Sequence, residues 1–174
     1  MDSEQKRIPY EELDETERSQ SAQKKITETK NKDEKLSVLQ SLVRLEAPWA
    51  QESLLNALAD PSEEIRHFIV TQLAQKENID LNMLYNRLSK PPWNIKIEVL
   101  KILGMRKNQR SAKHIEAVIH ETNTEVRRTA AVVLGEIGGD FARSLLVKLA
   151  KDPNPFVRKI AEKSLEKTTD LKFL

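Results

Sequence analysis

Apolar positions run along this chain in short helical stripes, and the stripes themselves repeat. Ile65, Ile69, Val70 and Leu73 share one face of a helix expected over 63–76. Val126, Ala130, Ala131 and Leu134 share the matching face of a helix over 125–137. Helices of the same kind are predicted over 33–45, 49–59, 81–89, 93–105, 112–121, 141–151 and 155–167. Pro48, Asp60-Pro61-Ser62, Pro91-Pro92 and Asp152-Pro153-Asn154 separate them. An oxygen-bearing residue followed by proline marks a helix start, because the first helical amides need outside acceptors. Residues 1–32 carry few apolar side chains, Ile8, Tyr10, Leu13 and Ile26. These are too widely spaced for a stripe, so a disordered or weakly helical polar tail is expected there, with nascent helix near 19–30. Within it Ile8-Pro9-Tyr10-Glu11-Glu12-Leu13 reads as a solvated stretch or a short docking motif.

The stripes keep a fixed phase. Asp60-x5-Arg66, Lys90-x5-Lys96, Glu121-x5-Arg127 and Asp152-x5-Arg158 place a basic residue at 66, 96, 127 and 158, a period of 30 or 31. Leucines follow at 42, 73, 103, 134 and 165. A period of this size marks a repeat array in which each helix pair buries its apolar face on the next. The expected domain organisation is the tail, a repeat domain over 33–167 and a short C-terminal tail over 168–174. The helix over 33–45 lacks a first partner and is expected to cap the array as a half-repeat. Leu171, Phe173 and Leu174 either fold back over the last pair or form a docking peptide.

The phrases Asp60-Pro61…Ile65-Arg66, Val126-Arg127-x2-Ala130-Ala131-x2-Leu134-Gly135-x-Ile137-Gly138 and Asp152-Pro153…Val157-Arg158-x2-Ala161-x3-Leu165 resemble HEAT repeats. They are most similar to the short bacterial and archaeal type seen in phycobiliprotein-lyase HEAT-like proteins. The resemblance implies an all-α fold, a right-handed α-α superhelix of about four helix pairs plus the N-terminal half-repeat. It also implies a ladder between neighbouring repeats, built here from Asp60 and Arg66, Glu121 and Arg127, and Asp152 and Arg158. Lys90 and Lys96 depart from the acid–base pattern and leave the middle rung open.

Composition narrows the chemistry. The chain has 174 residues, 32% of them charged, and no cysteine, which removes disulfides and thiolate metal sites. Its opening residues show no apolar signal segment, and no run approaches the ~18 apolar residues of a membrane span. A cytoplasmic location is therefore expected. The four glycines, Gly104, Gly135, Gly138 and Gly139, fall near the ends of second helices and read as C-terminal caps with positive φ. Trp49 and Trp93 each open a helix after a proline. Packing in a helix–helix corner is favoured for them over base stacking. His67, His114 and His120 form no ligand pattern, His120-Glu121 is a lone dipeptide, and no phosphate-binding loop or nucleophile motif occurs. No cofactor, metal or catalytic residue is expected.

Binding is the remaining function class. In HEAT-like stacks the second helices line the concave surface. Counting from each basic phrase residue, positions +1 and +5 point away from the buried set. They hold His67 and Thr71, Ile97 and Lys101, Arg128 and Val132, Lys159 and Lys163. This stripe reads as a groove for an acidic partner protein or as a solvated helix face. The net charge of +2 is unevenly spread: between Arg87 and Lys113 eight basic residues meet only Glu98. Arg106, Lys107, Arg110 and Lys113 there form a candidate basic patch for nucleic acid. The expected function is a non-enzymatic scaffold or adaptor that holds another protein on its concave face. The alternatives are an accessory subunit of a bilin lyase and nucleic-acid binding through the patch.

Overall fold

Short polar side chains set where the helices begin. In the computed structural model, which describes residues 14–90 and 92–170 with side chains as far as Thr168, α1 spans Glu15–Glu28 and α2 spans Lys32–Val43. Then follow α3 (Pro48–Ala57), α4 (Glu63–Gln75), α5 (Leu81–Leu88), α6 (Trp93–Arg106), α7 (Ala112–Ile115), α8 (Thr124–Ile137), α9 (Gly139–Leu149) and α10 (Pro155–Asp170). The fold is all-α, as the apolar stripes require. The Asp14 carboxylate accepts the Glu17 amide at 2.8 Å while Glu17 reaches back to the Asp14 amide, a reciprocal cap. Asn31, Ser62, Asp80 and Asn123 cap α2, α4, α5 and α8 in the simpler way. The helix expected over 112–121 is α-helical only over Ala112–Ile115. It continues as a tighter 3-10 turn over Glu116–Val118. The motif at 8–13 and the apolar ending at 171–174 lie outside the described residues.

The chain divides into two compact units, one ending at Ala57 and one beginning at Leu58. In the first unit α1, α2 and α3 pack against one another. Within the expected polar tail over 1–32, residues 15–28 are a packed helix and not a weak one, and Ala22 and Ile26 on it are buried. One narrow i, i+4 stripe is enough when two neighbouring helices cover it. Alanine contributes to that stripe, and a count of large apolar residues overlooks it. Ser19 on α1 also lies 3.4 Å from Ser53 on α3, hydroxyl to hydroxyl.

In the second unit the second helices stack in sequence, α4 on α6, α6 on α8 and α8 on α10. The buried positions are those the stripe requires: Ile65, Ile69, Val70 and Leu73 recur as Ile95, Val99, Leu100 and Leu103. Two of the glycines serve this stacking and not the helix ends. Gly104 and Gly135 lie inside α6 and α8. A Cβ on Gly135 would sit 2.7 Å from the Ser164 Cβ on α10, and one on Gly104 would sit 3.1 Å from a Val133 methyl on α8. Only Gly138 and Gly139 have positive φ, and the left-handed cap after α6 is taken by Lys107 at φ 49. The C-cap expectation thus fails at Gly104 and Gly135, which lie inside closely packed helices, and at Gly135 the approach of Ser164 leaves no room for a Cβ.

The periodic basic residue has two jobs. Its first is local. Arg66 donates from one terminal nitrogen to the carbonyls of Asp60 and Pro61, at 2.8 and 2.9 Å. Arg127 does the same to Glu121 and Thr122, and Arg158 to Asp152 and Pro153. The x5 spacing therefore lets an arginine in the first turn of a helix satisfy the turn that leads into it. The second job joins repeats. Arg127 grips the Asp152 carboxylate, and Arg66 donates to Glu98 at 3.2 Å. Lys96 pairs with Glu121. The middle rung is filled after all. Lysine has one charged nitrogen, which goes to the next repeat. Glu98, buried on α6, takes the place of the acid missing at Lys90.

Candidate functional site

Four successive second helices share one open hollow of about 440 Å³. Its polar lining comes from His67 on α4, Lys101 on α6 and Arg128, Thr129 and Glu136 on α8. Its apolar lining comes from Val70, Met105, Val132, Val133 and Ile160. Met105 and Val132 stand 49% and 40% exposed, which leaves two large apolar side chains on neighbouring helices open to solvent. A second, smaller hollow shares Val132, Glu136 and Ile160 and extends the surface along α8 and α10 to Lys163 and Lys167.

Charge on this surface is mostly positive and partly tethered. Lys101 lies 3.0 Å from Glu98, and Arg128 lies 2.7 Å from Glu125, each one helical turn away. Both cations are about half exposed, so these pairs orient them with little energetic gain. Glu136 is the carboxylate within the lining of the two hollows, against Lys101, Arg128, Lys163 and Lys167.

The structure brings together His67, Lys101, Arg128 and Val132 of the expected stripe and places Lys163 beside them. It separates the rest. Thr71 is half-buried, and Lys159 is exposed outside both linings. Ile97 turns to a different hollow with Asp60, Pro61, Arg66 and Trp93. Trp93 is 50% exposed there, so the expected burial in a helix corner does not occur. It sits at the first position of α6, where a side chain lies beyond the packed body of the helix. The stripe also extends further than the two positions read from sequence. Met105 and Glu136 stand at +9, Thr129 and Ile160 at +2, and Val133 at +6 from the basic phrase residues. Those are the next turn and the adjoining row of the same helical face, a signal already present in the i, i+4 spacing.

The basic patch does not assemble as expected. Arg106 turns inward and donates to the carbonyls of Leu73, Ala74 and Lys76 at 2.8–3.2 Å. It thereby closes the C-terminal end of α4, whose last carbonyls lack helical partners. Lys107 forms the left-handed cap, and Arg110 and Lys113 remain exposed. The interior ionic chemistry belongs to the ladder. Hydrogen bonding from Arg127 holds the Asp152 carboxyl below the usual carboxylate range against the opposing cost of burial, with help from the Asn154 amide and the nearby charges of Arg127 and Arg158. Asp152 in turn holds the Arg127 guanidinium above its ordinary value. Among the described residues no three His, Asp or Glu side chains group as a metal site, and Glu121, beside His120, is engaged by Lys96. Among them too, no helix is long and apolar enough to cross a membrane.

Residues 81–166 match the protein-family profile for HEAT repeats. No curated protein matches the chain.

Proposed function

We propose, from the premise that this chain is a HEAT repeat protein, that it is a non-enzymatic scaffold or adaptor whose partner protein seats on the second-helix face. HEAT repeats are commonly protein-interaction scaffolds and generally non-catalytic. The match is to HEAT repeats as a whole and does not single out the lyase-associated type. One observation carries the reading: the open hollow across α4, α6, α8 and α10, with Met105 and Val132 exposed in its lining beside Lys101 and Arg128. Exposed apolar side chains grouped on one face and rimmed by charge mark interaction surfaces. A rigid array spreads such contacts over several repeats without paying to order a loop. The partner therefore presents an acidic, partly apolar surface.

The test is a photo-crosslinking amino acid at His67, exposed in the same hollow, in the intact chain, followed by capture from an extract of the source cells. A discrete protein crosslinked at His67, and no longer captured when Met105→Glu/Val132→Glu is added to the same chain, is the expected result. Capture of the same protein by the double variant removes this face from the function.

A further inference from the structure

The face also selects the form of its occupant. Resting on the reading of this face as a partner site, we infer that the partner docks as an amphipathic helix whose apolar stripe is flanked by acidic side chains. Three observations lead there.

The first is what the wall can bond. The lining residues sit inside α4, α6, α8 and α10, whose backbone groups are largely used within those helices. Neither hollow is lined by an asparagine or glutamine. Apart from the lysines, Arg128 and Glu136, the side chains with hydrogen-bonding groups are His67, Thr129 and Ser164, spread over three helices. An extended segment presents unpaired amides and carbonyls every ~3.3 Å and needs partners for them. This wall cannot supply them at that density, and a helix arrives with its backbone already paired.

The second is spacing. Met105 and Val132 stand exposed on neighbouring second helices, with the half-buried Ile160 on the helix beyond Val132. Packed helix axes lie ~8–10 Å apart. Residues i and i+7 of a helix lie about 10.5 Å apart along its axis, so one apolar stripe can meet successive helices in step. The third is charge. Lys101, Arg128, Lys163 and Lys167 border the two hollows against Glu136. Acidic flanks are favoured on the occupant, and basic flanks are opposed.

The probe is a fluorescein-labelled peptide of about 18 residues, long enough to cross three such spacings as a helix. It carries leucine at helical i, i+3, i+4, i+7 spacing and glutamate on both flanks. One comparator has two central prolines and the same flanks, and another has lysine flanks. Anisotropy against the full chain is expected to show the glutamate peptide binding at least ~10-fold more tightly than either comparator. Met105→Glu/Val132→Glu removes that binding, and Lys101→Glu/Arg128→Glu shifts the preference to the lysine-flanked peptide. These side chains are exposed, and circular dichroism of each variant checks that the helices persist. Equal binding of the proline-interrupted peptide overturns the helical form. Binding unchanged in the first double variant overturns the site. Displacement of the peptide by a single-stranded oligonucleotide of higher affinity overturns a helical protein segment as the occupant. If the crosslinked partner is lost in Met105→Glu/Val132→Glu while the peptides do not discriminate, the scaffold reading stands and only the helical form fails.

Discussion

Arg127 and Asp152 meet through two parallel hydrogen bonds, Nε to one carboxylate oxygen at 2.7 Å and a terminal nitrogen to the other at 3.0 Å. Both side chains are at most one-tenth exposed. The remaining terminal nitrogen of Arg127 holds the carbonyls of its own turn. One guanidinium therefore ties the start of α8 to the turn before α10.

Replacing Arg127 with leucine leaves Asp152 buried without its main partner. The expected cost is about 3–5 kcal/mol, the range for breaking a buried ion pair from one side. Urea unfolding of the variant against the parent at neutral pH measures it. Replacing both residues with apolar ones is expected to cost much less, because no uncompensated charge remains.

The same pair gives an acid dependence of known sign. Asp152 has its folded pKa depressed, with hydrogen bonding from Arg127 the largest cause. Its contribution to stability is full above the unfolded aspartate value of about 3.9 and is lost as pH falls through the folded value. The stability gap between the parent and Asp152→Asn is therefore expected to be constant from pH 7 to about pH 5 and to shrink below about pH 4. Unfolding curves across that range would contradict this by showing a gap that widens in acid.

Gly135 and Gly104 predict unequal penalties. Alanine at Gly135 must push against the Cβ, Oγ and Cα of Ser164, the last of these backbone. About 1–3 kcal/mol of destabilisation is expected, only partly offset by the ~1 kcal/mol helix preference of alanine. Alanine at Gly104 first meets the Glu136 carboxylate, which is exposed and can swing aside, and then a Val133 methyl. Its net effect is expected within about 1 kcal/mol of zero. Thermal melts of the two variants side by side decide between close packing and helix capping as the role of these glycines.

Lys107 offers a stabilising change. It holds the left-handed conformation that a β-carbon disfavours. Lys107→Gly is expected to raise stability by about 0.5–1 kcal/mol, seen as a higher urea midpoint with unchanged slope.

Ile26→Ala tests whether α1 belongs to the core of its unit. A solvated tail would lose nothing on this change. A buried isoleucine beside α2 and α3 is expected to cost about 2–4 kcal/mol and to speed amide exchange along α1.

The repeat was readable because stacking imposes the same demand at every period. Leucine at 73, 103 and 134 fills equivalent buried sites, and the basic residue at 66, 127 and 158 clasps equivalent turns. Much of the candidate face was readable for the same reason, since +1 and +5 share one side of a helix. Thr71 and Ile97 left it because neighbouring helices decide which part of that side opens onto a shared hollow. Arg106 shows the limit of charge counting. Its sequence neighbours are basic, yet its guanidinium goes to carbonyls about thirty residues away.

Local periodicity, turn residues and phase thus determined by themselves the helical class, the recurrence of the second helices and most positions that face inward. These depend on spacing along a single chain, and spacing is what a sequence records. Tertiary structure alone decided that Glu98 stands in for the acid missing at Lys90, that Gly135 is pressed by Ser164, and that α1 joins α2 and α3. Each of these pairs residues far apart in sequence, and only the packed distance between helices selects the partner.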